Sequence, residues 1–132
     1  PYAVIGEVVH GDGRGRELGY PTANLRFDDP VTLPPNGVYA TRVSWGGVSP
    51  LEPSRAANGV ASLGVRPTFQ GTGERVLEVY LFDFDEDLYG QHLRVEFVRR
   101  QRGERRFRGP TQLIAQMHRD AARARQLLAE GG

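Results

Sequence analysis

Arg75-Val76-Leu77-Glu78-Val79-Tyr80-Leu81-Phe82 (RVLEVYLF) is the most strand-like stretch in the chain, and the rest is read outward from it. Successive side chains of a strand point to opposite faces. Leu77, Val79 and Leu81 therefore share one face, and Val76, Glu78, Tyr80 and Phe82 the other. Glu78 is a lone carboxylate among apolar and aromatic neighbours. Desolvation raises a carboxylate's pKa, which suits a general base. The same pattern also fits a structural glutamate on the wet face of an edge strand, and structural carboxylates far outnumber catalytic ones.

Other strands flank this one, which is read as running from Arg75 to Phe84. Val4–His10 is β-rich. Gly37–Trp45 alternates, with Tyr39, Thr41, Val43 and Trp45 on one face, between the turn signals Asn36-Gly37 and Gly46-Gly47. Gly59–Val65 is a short apolar run, and Leu93–Val98 alternates through Leu93, Val95 and Phe97. Ser44–Gly59 is rich in Gly, Pro, Ser and Asn and reads as a hairpin loop. Leu113, Ile114, Met117, Ala121, Ala124 and Leu128 follow helical spacing. Pro110 suits a first helical position after Gly109, and Gly131-Gly132 a stop. The expected fold is mainly β: a small antiparallel barrel with one C-terminal helix beside it.

Composition narrows the chemistry. The 132 residues fit one domain and can build one hydrophobic core. Cysteine is absent, which excludes disulfides, thiolate metal sites and cysteine nucleophiles. All 17 basic residues are arginine. A Walker lysine, a Schiff-base lysine and a lysine base are therefore excluded. Phosphate here must meet arginine, backbone N–H groups or a metal. The formal net charge of +1 argues against a nucleic-acid partner. No signal peptide is visible and no apolar run approaches ~18 residues, so no membrane partner is expected.

Two adjoining segments near the N-terminus carry chemistry. In Gly11–Gly19 (GDGRGRELG), Gly11, Gly13 and Gly15 come at alternate positions before Arg16. Such glycines let backbone N–H groups approach phosphate, although neither a Walker loop nor a dinucleotide-binding fingerprint is present. A mobile hairpin loop is the alternative. Tyr20-Pro21-Thr22-Ala23-Asn24 follows. Pro21 fixes its own φ and biases Tyr20 to an extended shape, so Thr22 and Asn24 present a hydroxyl and an amide oxygen to one side. Both are hard donors suited to Mg²⁺. An Asx or ST turn ending a strand fits as well.

Asp83, Asp85 and Asp87 imitate the start of an EF-hand, but Leu88 and Arg94 stand where glycine and glutamate belong, so Asp83–Gly90 reads as a polar loop. The run Arg99–Arg108 fits a solvated loop better than an RNA contact. His10, His92 and His118 lack ligand spacing.

The order of these pieces resembles the riboflavin kinase family. The pattern G-x-V-x-x-G-x-x-x-G-R-x-L-G-[FY]-P-T-A-N runs from Gly6 to Asn24. It continues through LPPNGVYA (Leu33–Ala40), SLGVRPTF (Ser62–Phe69), LEVYLFDFDEDLYG (Leu77–Gly90) and LRVEFVRRQRGERRF (Leu93–Phe107). Pro1-Tyr2-Ala3-Val4 resembles the entry into the C-terminal kinase module of bacterial bifunctional riboflavin kinase/FAD synthetases. The chain thus reads as one kinase domain over residues 1–132, without the adenylyltransferase domain that precedes it in those enzymes.

The resemblance implies a six-stranded antiparallel Greek-key barrel with a C-terminal helix, and a cytoplasmic enzyme. It implies ATP-dependent phosphorylation of the riboflavin 5′-hydroxyl to FMN, with ADP released. Glu78 would be the catalytic base, and Thr22 and Asn24 would bind Mg²⁺. Gly11, Gly13, Gly15, Arg16 and Tyr20 would join them around ATP, and closure of such a loop would exclude water. Phe107, Arg108, Pro110 and Leu113 would hold the flavin. After Phe107 the family often has Asp-Ser; Arg108-Gly109-Pro110 replaces that acidic contact and hydroxyl cap. The alternative function is a flavin- or nucleotide-binding module with little turnover apart from its partner domain.

Overall fold

A computed structural model describes residues 2–9, 22–27, 31–47, 54–67, 73–84 and 86–130. Among them are six strands: β1 (Tyr2–Val9), β2 (Thr22–Arg26), β3 (Gly37–Trp45), β4 (Arg55–Pro67), β5 (Gly73–Leu81) and β6 (His92–Arg102). They close into an antiparallel barrel in the order β1-β2-β5-β4-β3-β6. One helix, α1 (Pro110–Glu130), follows. Closure removes edges, so β5 lies between β2 and β4 and Glu78 is not on an edge strand.

The period-two pattern sorts side chains between two cores. Leu77 and Val79 of β5, Ala61 and Leu63 of β4, and Leu93 and Val95 of β6 point inward and are fully buried with Tyr39 and Val43. Each such large side chain contributes about 1.5–3 kcal/mol. The outward residues Val38, Ala40, Val60, Tyr80 and Phe82 form a second cluster under Ala121, Ala124, Leu127 and Leu128 of α1. Arg42 donates to the Leu128 carbonyl at 3.2 Å near the far end of the helix. At the near end, the Leu113 N–H donates to the Gly109 carbonyl at 3.2 Å, so Pro110 opens the helix as its missing N–H allows.

The turn before β3 is clamped by two arginines. Arg75 Nε donates to Asn36 Oδ1 at 2.9 Å and its Nη2 reaches the Pro34 carbonyl; Arg100 Nη2 donates to the Asn36 carbonyl at 2.7 Å. Gly37 follows with φ of 151°, and a Cβ there would stand 2.6 Å from the Arg102 carbonyl oxygen. Only glycine lets β3 approach β6 this closely, at a register shift between Val38 and Tyr39.

Three strand boundaries differ from the sequence reading by three residues or more. β4 begins at Arg55, inside the stretch read as a loop, because Arg55–Asn58 pair with Arg42–Trp45. The Arg55 guanidinium lies 5.4 Å from the Trp45 ring and pairs with Glu86 at 2.7 Å. β5 stops at Leu81 rather than Phe84: Asp83 has φ of 57°, a turn conformation. β6 runs to Arg102 rather than Val98, because Arg99, Arg100 and Arg102 pair with β3. Part of the arginine run is therefore barrel wall, not solvated loop. Among the described residues no helix is long and apolar enough to cross a membrane.

Candidate active site

Strand register brings distant residues into one line. Asn24 of β2 lies opposite Glu78 of β5, Glu78 opposite Ser62 of β4, Ser62 opposite Val38 of β3, and Val38 opposite Arg102 of β6. These five form a single rung on the outer wall. The next rung runs Thr22, Tyr80, Val60 and Ala40. Adjacent strands are about 4.8 Å apart, so Glu78 is one spacing from both Asn24 and Ser62 and three strands along the curved wall from Arg102.

The two rungs floor a pocket of ≈ 200 Å³. Its wall is built from the segment after β6 (Glu104, Arg105, Phe107) and the first turns of α1 (Leu113, Met117, Asp120). Thr22, Ser62, Glu78 and Tyr80 all line it, and Glu78 is half-buried.

A polar network fixes this wall. Arg102 grips Asp120 with two parallel bonds, Nε to Oδ1 at 2.9 Å and Nη2 to Oδ2 at 2.7 Å. Asp120 is buried, 5% exposed, and also accepts from Gln116 Nε2 at 2.9 Å. Gln116 Oε1 accepts from Arg105 at 2.6 Å and Arg119 at 2.8 Å. The forked geometry ties the end of β6 to α1 and holds the helix at a set height above the floor.

The structure brings together some of the sequence candidates. Thr22 and Glu78 lie on the floor, and Phe107 and Leu113 on the wall. Arg108 and Pro110, between those two, are exposed and do not line the pocket. Asn24 does not line it either; it is buried beside Glu78. Gly11, Gly13, Gly15, Arg16 and Tyr20 lie outside the described residues. Sequence reasoning missed Ser62, Arg102, Glu104, Gln116 and Asp120. Gln116 and Asp120, four residues apart on the helix's buried stripe, were the available signal: polar groups on an apolar face need partners.

The Asn24 amide bears on metal binding. Its Oδ1 is buried and accepts no hydrogen bond in the structure. Such an orphaned acceptor is costly unless something fills its place. Among the described residues, Thr41 Oγ1 and Gln101 Oε1 share that state. Thr41 belongs to the inward face, whereas Asn24 shares the outward face of β2 with Thr22. Two neutral oxygens at this spacing fit a Mg²⁺ that takes its remaining ligands from phosphate and water. Among the described residues no group of three or more His, Asp or Glu could hold a metal without such help.

Comparison with known proteins bears on the fold and the family. The family model described as riboflavin kinase matches residues 1–128. The bifunctional riboflavin kinase/FMN adenylyltransferase of Escherichia coli K12 is 44% identical over 126 residues, covering 96% of this chain and 38% of that protein. The Bacillus subtilis protein of the same name is 38% identical over 126 residues, covering 94% of this chain and 38% of that protein. The chain thus spans well under half the length of these relatives. Among solved structures, one from Streptococcus pneumoniae, titled a macrolide-efflux protein, superposes with a TM-score of 0.79 at 38% identity, over 91% of this chain and 37% of that one. Riboflavin kinase from Trypanosoma brucei shares the fold, with a TM-score of 0.61 at 24% identity, over 96% of this chain and 79% of that one. With a barrel of the expected topology and a family match over nearly its whole length, the chain belongs to the riboflavin kinase family.

Proposed function

We propose that this chain transfers the γ-phosphoryl group of ATP to the 5′-hydroxyl of riboflavin, giving FMN and ADP. The observation that carries the reading is the rung itself. It sets Glu78 between Asn24 and Ser62, with Thr22 one rung away, at the floor of a pocket walled by Phe107 and Leu113. Phosphoryl transfer asks for positioning and charge neutralisation more than for a nucleophilic side chain. A chain without lysine or cysteine can meet that demand.

In this reading the flavin ring lies against Phe107, Leu113 and Met117, and its hydroxyl chain reaches along the floor. The Glu78 carboxylate takes the proton of the 5′-hydroxyl as that oxygen bonds to the γ-phosphorus, while the bond to the ADP oxygen breaks. Thr22 and Asn24 would hold the Mg²⁺ that accompanies ATP, which neutralises phosphate charge when bound. The roles of Gly11, Gly13, Gly15, Arg16 and Tyr20 toward ATP rest on the sequence resemblance alone. In the complete protein we expect an adenylyltransferase domain beside this one, as the names of the bifunctional relatives suggest.

The test is chromatography of riboflavin incubated with ATP and the chain, with and without Mg²⁺. FMN should appear only when ATP and Mg²⁺ are both present. Flavin binding with no FMN at saturating substrates would reduce the chain to a binding module.

A further inference from the structure

The pocket holds polar groups that neither the metal, the base nor the ring requires. Ser62 is the neighbour of Glu78 on the rung, about one 4.8 Å strand spacing away and on the side opposite Asn24. Gly64, two residues on, shares its face of β4 and leaves that face bare. The space is taken by the Glu104 side chain: a Cβ on Gly64 would collide with Glu104 Oε1. The Glu104 carboxylate is therefore laid on the floor beside Ser62, and both line the pocket. Among the described residues no hydrogen bond or ion pair engages that carboxylate. The nearby Arg102 is committed to Asp120, and Arg105 to Gln116.

Two carboxylates and a hydroxyl in succession make a poor phosphate site, because like charges repel. They make a good site for a chain of hydroxyl donors, since O–H to carboxylate bonds are short and strong. We propose that Ser62 and Glu104 form a polyol-reading subsite. They bind secondary hydroxyls of the acceptor's side chain and so set which hydroxyl is presented to Glu78. The inference rests on the kinase reading above and adds to it the determinant of acceptor choice. A pocket that hydrogen-bonds a hydroxyl discriminates strongly against an analogue lacking it, because its own polar groups are then left unpaired.

The experiment compares riboflavin with a flavin whose side chain is an unbranched alkyl bearing one terminal hydroxyl. The ratio of their kcat/KM values is measured for the wild-type chain, Glu104→Gln, Glu104→Ala and Ser62→Ala. Both substrates are assayed on the same preparation, so a loss of folded protein cancels, and Glu104→Gln keeps the side chain's shape. The wild-type chain should prefer riboflavin. Glu104→Ala should lower the preference about 10- to 100-fold, as expected for a hydrogen bond to a charged group, with smaller drops in the other two variants. A preference unchanged in all three variants, with FMN still formed, would overturn the subsite and leave the kinase reading standing. No product from either substrate with the wild-type chain would remove both.

Discussion

α1 meets one barrel wall along its length, but its two halves meet it differently. The C-terminal half sets Ala121, Ala124, Leu127 and Leu128 into an apolar cluster with Val38, Ala40, Val60, Tyr80 and Phe82. The N-terminal half stands off, held by the Arg102–Asp120 fork, and leaves a pocket over Ser62, Glu78 and Thr22. The helix is the same, and the barrel surface beneath it changes. Val38, Val60 and Tyr80 serve both ends, closing the apolar cluster on one side and lining the pocket on the other, where Thr22, Ser62 and Glu78 add hydroxyls and a carboxylate. A cavity was made here by choosing a polar strut over an apolar contact. A buried ion pair contributes little net stability, but it fixes a geometry.

The comparison breaks most visibly through Glu78→Gln. Kinase kcat should fall by about 10²–10⁴, the range for a lost general base, with the melting temperature nearly unchanged. Leu128→Ala should do the reverse. It opens a cavity in the apolar cluster and costs about 3 kcal/mol in a denaturant titration, with FMN formation by the folded fraction unaltered. Asp120→Ala tests the strut. It leaves the Arg102 guanidinium without its carboxylate and should cost about 2 kcal/mol, discounted because Arg102 retains some contact with water. It should also raise KM for riboflavin, measured at saturating ATP.

The smallest effect lies far from either end. Arg55 beside Glu86 donates a hydrogen bond that holds the Glu86 carboxyl below its ordinary 4.5. A lowered folded value stabilises above the unfolded pKa and is lost as pH falls through the folded one. Glu86→Gln should therefore lower the melting temperature slightly near pH 7, and the difference from the wild-type chain should vanish as pH falls below about 4.5.

The strands were legible because inward positions alternate so strictly. Leu77 and Val79, and Leu93 and Val95, announce a face that must be buried. The helix was legible from its apolar spacing. What the pattern hid was pairing. Asn24, Glu78, Ser62 and Arg102 lie far apart in sequence, and only barrel closure aligns them on one rung. The arginine run misled for a related reason. Arg100 and Arg102 alternate into a barrel wall whose partners, Asn36 and Asp120, belong to a distant turn and a distant helix. Charge density alone does not distinguish a solvated loop from a strand whose charges are paired. Glu104 was invisible because its place depends on an absence, the missing side chain of Gly64.

The central claim is that the standing-off half of α1 and the rung beneath it form the flavin site. Amide hydrogen exchange with and without riboflavin and Mg·ADP tests it directly. Protection should be gained in peptides covering Val60–Gly64, Leu77–Tyr80 and Glu104–Met117, while Ala121–Glu130 stays as it was. Protection confined to the C-terminal half of the helix, or none in the 104–117 segment, would contradict it.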